Sequence, residues 1–198
     1  DMNRPLSDIG SAELPADRQG ELSHRHTLAV YELQERMLQE FPDLLLENCS
    51  GGGGRYDLGM MKYSTMIWTS DNTHPNDRIK IQYGSMLGYP STTMSCHVSN
   101  HKGICENPKQ LKFRFDVAIG GALGYEFHLP NASDGTKEQI KQQIADYRLC
   151  ENLIFTGDYY PIANPFLCNY SAYYYINDDK SEILLSFLQH SPQDEEEV

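Results

Sequence analysis

The amino-acid sequence predicts an α/β protein built on parallel strands and followed by a short antiparallel β segment. Three observations lead there: helix-period and strand-period segments alternate, polar or glycine-rich loops follow the C-terminal end of each strand, and beyond Ala163 two β-rich runs flank a tight turn. The alternation is that of a (β/α) barrel or of a doubly wound sheet. About four strands are legible, with Asp1 standing where the end of a fifth would be. A closed barrel needs eight strands and typically ~250 residues, so 198 residues cannot close one alone.

A polar stretch over residues 5–23 leads into a helix whose stripe is Val30, Leu33, Met37 and Phe41, ended by Pro42. Leu44, Leu45 and Leu46 then form an unbroken apolar run before Glu47-Asn48-Cys49-Ser50 and four glycines, the pattern of a strand buried on both faces. A second strand is expected near Thr65–Thr69. Pro75 and Asp77 suit the first turn of a helix striped by Ile79, Tyr83, Met86 and Leu87, with Pro90 as its stop. A third strand at Thr93–Val98 precedes a loop with His101 and Gly103, and an extended segment is expected from Phe113 to Ile119. Thr136 and Gln139 resemble a capping box ahead of Ile140, Ile144 and Tyr147, so a last helix should reach about Asn152. Tyr170–Ile176 and Glu182–Leu188 around Asn177-Asp178-Asp179-Lys180 read as a hairpin, and Asp194–Glu197 as an acidic, frayed tail.

Composition narrows the function classes. The net charge is −12, from 28 acidic and 16 basic residues, and no basic run is present, which argues against nucleic-acid and membrane-surface partners. With 39% apolar residues and 11% aromatics, low-complexity disorder is excluded for most of the length. The apolar stretches fall far short of the ~20 residues of a spanning helix, so a soluble protein is expected. Five cysteines at irregular spacing suit reduced thiols and slightly favour a cytoplasmic location, although the chain opens on Asp1 and not Met, which leaves localisation open.

Two carboxylates occupy the C-terminal ends of expected parallel strands: Asp1 in Asp-Met-Asn-Arg, and Asp71 in Trp-Thr-Ser-Asp-Asn-Thr. Barrel enzymes place catalytic groups there, and a carboxylate pair is what retaining glycoside hydrolysis needs. From spacing alone the plainer reading is the stronger, since a strand-end Asp is often a loop or helix cap. Gly51–Gly54 would let a ligand approach the backbone and would leave N–H groups free to bond it, the plainer reading being a flexible turn. No Gly-Lys-Ser/Thr follows, and Tyr56 occupies the third glycine position of a dinucleotide fingerprint, so a nucleotide is not the ligand expected. Trp68, the single tryptophan, is either core or a platform for the C–H face of a sugar. Cys96, His97, His101 and Cys105 have metal-like spacing, but strand alternation would turn Cys96 and His97 to opposite faces.

Taken together and in order, Asp-Met-Asn-Arg from Asp1, Phe41 through Asp57 with its Cys-Ser-Gly-Gly-Gly-Gly core, Ile67-Trp-Thr-Ser-Asp-Asn-Thr, Arg78-Ile-Lys-Ile-Gln-Tyr-Gly and Ser95-Cys-His-Val-Ser closely resemble the α-galactosidases of glycoside hydrolase family 36. The resemblance covers most of residues 1–162. It implies the C-terminal half of a (β/α)8 TIM barrel over residues 1–162, then the start of an antiparallel β-domain over 163–198. It also implies Asp1 as nucleophile, Asp71 as general acid/base, and Cys49, Gly52 and Trp68 lining a galactose pocket. Substrates would be α-galactoside oligosaccharides of the raffinose or melibiose type, cleaved by double displacement, with no metal or organic cofactor, in a parent that is commonly a homotetramer. His74 stands where the family commonly has Asp. The alternatives are a galactosyltransferase of the raffinose-synthase kind, which uses the same carboxylate chemistry on a sugar acceptor, and a non-catalytic sugar-binding remnant. An isolated half barrel would be inactive and poorly stable, with unpaired strand edges.

Overall fold

A computed structural model describes residues 9–190. Asp1 and the acidic residues Asp194–Glu197 lie outside the described residues. The chain divides into two compact units at Trp68/Thr69.

In the first unit a 3-10 turn, Ala16–Glu21, runs into helix α1, Leu22–Glu40. Strand β1, Glu47–Asn48, pairs in parallel with β2, Met66–Trp68, in the register Glu47↔Met66 and Asn48↔Ile67. Between them lies the short helix α2, Leu58–Met61, capped by Asp57, whose Oδ1 accepts from the N–H groups of Gly59 and Met60. The helix-to-strand contact is polar. Gln34, the buried residue of α1, exchanges two amide hydrogen bonds with Asn48 at 3.1 and 3.2 Å, and Asn48 also donates to Ser64 Oγ. A reciprocal amide pair satisfies both side chains where neither could be left unbonded cheaply.

That contact corrects two expectations. The inward stripe of α1 is centred on Gln34, which leaves Leu33 55% and Phe41 60% exposed. Leu44 and Leu45 precede the strand and do not form it, Leu45 being 78% exposed. Apolarity makes a strand only where a partner offers a ladder, and in the β1–β2 pair the ladder falls on Glu47 and Asn48, after the leucines.

The second unit opens with the loop at residues 69–74 and helix α3, Pro75–Met86, with Pro75 in its first turn as expected. Strand β3, Met94–Ser99, is joined through helix α4, Pro108–Ala118, to the parallel strand β4, Ala122–Glu126, in a register running from Ser95↔Ala122 to Ser99↔Glu126. Helix α5, Asp134–Thr156, follows. An antiparallel sheet then comprises β5, Asp158–Ala163, β6, Tyr170–Ile176, and β7, Ile183–Gln189.

The segment expected to be extended over Phe113–Ile119 is the body of α4. Its Phe-Arg-Phe-Asp-Val-Ala alternation also satisfies helical spacing, because Leu111, Arg114, Phe115 and Ala118 are all buried on one face. The deciding signals are Asn107, whose Oδ1 accepts from Lys109 N at 3.0 Å, and Pro108 at the first helical position. The fourth parallel strand is therefore β4, whose Ala-Leu-Gly-Tyr-Glu sequence carries little β signal. The N-cap of α5 is Ser133, its Oγ accepting from Thr136 N, so this helix starts earlier than the Thr136–Gln139 pattern suggests. In both units, the parallel pairing and the helix between strands agree with the expected α/β alternation.

Met94, Cys96 and Val98 of β3 are fully buried against Ile79, Leu111, Phe115, Ile140 and Ile154 from the helices and Tyr173, Tyr175 and Leu188 from the antiparallel sheet. Thus the antiparallel sheet shares one core with the α/β layer of this unit. Tyr175 OH is bonded to Gly120 O at 2.8 Å and Tyr147 OH to Gly121 O at 2.8 Å, fastening sheet and helix to the turn before β4. Among the described residues no helix is long and apolar enough to cross a membrane.

Candidate active site

Alternation along β3 turns Ser95, His97 and Ser99 away from that core. His97 and Ser99 meet Glu126, the last residue of β4. His97 Nδ1 lies 2.9 Å from Glu126 Oε1, and Ser99 Oγ donates to Glu126 Oε2. An ionised carboxylate only accepts, so the His97 proton in this contact sits on Nδ1. The imidazole lies directly over Gly124, where any Cβ would come within 2.5 Å of the ring. Burial alone would raise the pKa of Glu126, but the hydrogen bonds from Ser99 and His97 outweigh it and hold the carboxyl below its ordinary value.

The loop at residues 69–74, between β2 and α3, has no regular structure, yet it is held from both sides. Arg78, 2% exposed on α3, donates through Nη1 to Thr69 Oγ1 at 3.1 Å and to Ser70 O at 3.2 Å, and through Nη2 to Ser95 O at 3.0 Å. Arg114, 5% exposed on α4, donates to Thr73 O at 3.3 Å. Inside the loop, Asn72 N donates to Ser70 Oγ, Asn72 Nδ2 to Asp77, and His74 N to Asn72 Oδ1. Asp71 projects from this frame and is exposed. Burial lowers the pKa of Arg78, opposed by Cys96 and Glu126; guanidinium remains charged regardless.

In the first unit, β1 runs straight into a left-handed turn. Ser50, Gly51, Gly52 and Gly53 have φ of 63°, 66°, 72° and 99°. An L-residue pays roughly 1–2 kcal/mol for each such position, and glycine does not. The run of glycines is thus the backbone's requirement. Its N–H groups are engaged internally: Gly52 N donates to Cys49 Sγ at 3.3 Å, Gly53 N to Cys49 O at 3.3 Å and Gly54 N to Ser50 O at 3.2 Å. These three donors are therefore already used within the turn, the weakest-held N–H being the one on sulfur.

Comparison with known proteins gives this geometry a family. The family model described as Melibiase matches residues 1–157. The chain belongs to the melibiase family. It is 41% identical over 192 residues to the α-galactosidase AgaA of Geobacillus stearothermophilus, covering 96% of this chain and 26% of that protein. It is 40% identical over 186 residues to α-galactosidase 1 of Pediococcus pentosaceus, covering 93% of this chain and 25% of that one. Among solved structures, the GH36 α-galactosidase AgaB of Geobacillus stearothermophilus matches with a TM-score of 0.87 and 42% identity over 94% of this chain and 26% of that one. A variant of AgaA in complex with raffinose matches with a TM-score of 0.86 and 40% identity, again over 94% and 26%. The chain spans about a quarter of the length of these relatives. With these likenesses the fold is assigned as α/β, the C-terminal half of a (β/α)8 barrel followed by the start of an antiparallel β-domain.

In this melibiase-family chain Cys49, Gly52 and Trp68 all belong to the β1–β2 unit. Cys49 and Gly52 are bonded to each other, and the turn sits beside the end of β2, where Trp68 follows the Asn48↔Ile67 pair. Trp68 is 8% exposed, so most of the indole is packed. Asp71 stands three residues further along the chain, in the loop already described. Asp1 lies outside the described residues. The four residues with metal-like spacing part company: Cys96 faces the core, His97 faces Glu126, His101 is exposed and Cys105 is buried. Among the described residues no group of three or more His, Cys, Asp or Glu is placed to hold a metal ion.

Sequence reasoning missed Arg78, Arg114 and the His97–Glu126–Ser99 cluster. One signal was available. Arg78 and Gln82 share the inward stripe of α3 with Ile79 and Tyr83, and Arg114 shares that of α4 with Leu111 and Phe115. A charged residue inside an apolar stripe must find polar partners.

Proposed function

We propose that this chain is part of a retaining α-galactosidase that hydrolyses terminal α-D-galactosyl residues of raffinose- and melibiose-type oligosaccharides, with Asp1 as nucleophile and Asp71 as general acid/base. The observation that carries the reading is the family match over residues 1–157, which includes the Asp-Met-Asn-Arg, Cys-Ser-Gly and Ser-Asp-Asn motifs together. Relatives named as α-galactosidases, among them AgaA, solved as one variant with raffinose and as another with stachyose, support the substrate class and favour hydrolysis over galactosyl transfer.

In this reading the Asp1 carboxylate attacks the anomeric carbon as the C1–O bond breaks. The departing oxygen takes the proton of Asp71 and leaves as an alcohol. Water then gives a proton to the Asp71 carboxylate and attacks C1, releasing Asp1, so that one glycoside and one water become galactose and an alcohol. Carboxyl groups about 5–5.5 Å apart suit this sequence, since no water need fit between nucleophile and sugar. Cys49 and Gly52, on a turn stripped of side chains, and Trp68, whose indole can stack on C–H faces, supply the shape of the galactose pocket. The reaction needs no cofactor, and a homo-oligomeric parent accords with the family resemblance.

The test uses the full-length protein that carries this sequence. It should release galactose from raffinose with the α-anomer appearing first by NMR, and Asp71→Ala should lose about 10²-fold or more of that activity. Release of the β-anomer first, or an Asp71→Ala variant as active as wild type, would refute the assignment.

A further inference from the structure

The loop that carries Asp71 is irregular, exposed at its tip, and joined to regular structure only at its two ends. Such a loop should wander, and a general acid cannot: about 1 Å of misplacement can cost 10²-fold in rate. The structure supplies the restraint in an expensive form. Two guanidiniums are buried, 2% and 5% exposed, on helix stripes that Leu or Met would fill more cheaply. Each gives a donor to the main chain flanking Asp71. Arg78 takes the carbonyl of Ser70, which belongs to the peptide plane holding the Asp71 N–H, and ties it with Nη2 to Ser95 O on β3. Arg114 takes the carbonyl of Thr73 on the other side. The Asn72 hydrogen bonds to Ser70, His74 and Asp77 stiffen the stretch between.

We propose that Arg78, assisted by Arg114, is a positioning residue for the acid/base carboxylate, setting the backbone of residues 69–74 from which Asp71 projects. The proposal rests on the reading of Asp71 given above. It also accounts for arginine over lysine. A planar fork can reach Thr69, Ser70 and Ser95 at once, bridging the loop and β3, whereas an ammonium is a single point that cannot span them in fixed directions.

The test compares two substrates in the full-length protein: raffinose, whose sugar leaving group needs a proton, and a dinitrophenyl α-galactoside, whose phenolate needs almost none. Because kcat/KM reports the first displacement, Arg78→Lys should lower it about 10²-fold on raffinose and less than about threefold on the aryl substrate. Asp71→Ala serves as the reference, with the same substrate dependence and with azide, a nucleophile needing no base, restoring turnover of the aryl substrate. If Asp71→Ala lacks that pattern, the acid/base reading itself fails. If Asp71→Ala shows it while Arg78→Lys lowers both substrates equally, or neither, the positioning role is overturned. Should Arg78→Lys not fold, Thr69→Val, which removes one acceptor of the fork, and Arg114→Gln carry the same comparison with the same two outcomes, at a smaller expected loss.

Discussion

Two glycine-to-alanine substitutions, chemically identical, should change stability in opposite directions. Gly52 has φ of 72° within the left-handed turn after β1. Alanine there pays roughly 1–2 kcal/mol for the left-handed backbone, offset by the ~0.4–1 kcal/mol gained from restricting the unfolded chain, for a net loss of about 1 kcal/mol. Gly84 lies in the exposed part of α3, and a Cβ built there meets nothing within 4 Å. Alanine there should stabilise by about 0.5 kcal/mol, less than the full helix-propensity difference because the helix ends two residues later at Met86. The variants should therefore differ by about 1.5 kcal/mol, roughly tenfold in the folding equilibrium, or some 3–6 °C in Tm for a chain of this size. Urea melts of both variants and wild type in the same polypeptide, with equal m-values, read this directly. If both substitutions moved the midpoint the same way, backbone φ would not be what demands glycine after Cys49, and the account of the turn would be wrong.

Three further outcomes are expected. Asn48→Leu should destabilise by about 1–3 kcal/mol by stranding the buried Gln34 amide, and adding Gln34→Leu should recover part of that loss, as a double-mutant cycle by denaturant melts would show. The folded pKa of Glu126 lies below its ordinary 4.5, so its contribution to stability is present above that value and is lost as pH falls through the folded pKa. The difference in urea midpoint between wild type and Glu126→Gln should accordingly shrink between pH 7 and pH 3, and a difference that grew on acidification would contradict the hydrogen-bonding scheme. Burial pushes the Cys96 and Cys105 thiols up to about 11, while Cys168 is exposed. A thiol reagent at pH 8 should label Cys168 in the folded protein and reach Cys96 and Cys105 only on unfolding, as peptide mass mapping would reveal.

Much of the local structure was legible because its cause is local. Pro75 with Asp77, the Asn-Asp-Asp-Lys turn of the hairpin, and the alternation of Met94, Cys96 and Val98 against Ser95, His97 and Ser99 each act within a few residues. The glycine run was recognisable as special, although its N–H groups proved to be engaged within the turn. The failures share a different cause. Phe113–Ala118 fits two periods, and a cap at Asn107 decides between them. Leu44–Leu46 has the apolarity of a strand without a ladder partner, and the inward face of α1 is chosen by the amide of Asn48, far along the chain.

By itself the amino-acid sequence determined most of the helices, the hairpin, the α/β alternation, the family motifs and the identities of the expected acid, turn and aromatic residues, because spacing, capping and backbone conformation are properties of neighbours in the chain. Tertiary structure alone decided that Arg78 and Arg114 donate to the carbonyls of Ser70 and Thr73 on either side of Asp71, and that Glu126 is held by His97 and Ser99. A buried charge carries no label of its partner in one dimension; which acceptor satisfies it depends on which strands and helices fold against it, and the cost of leaving it unsatisfied makes that choice binding.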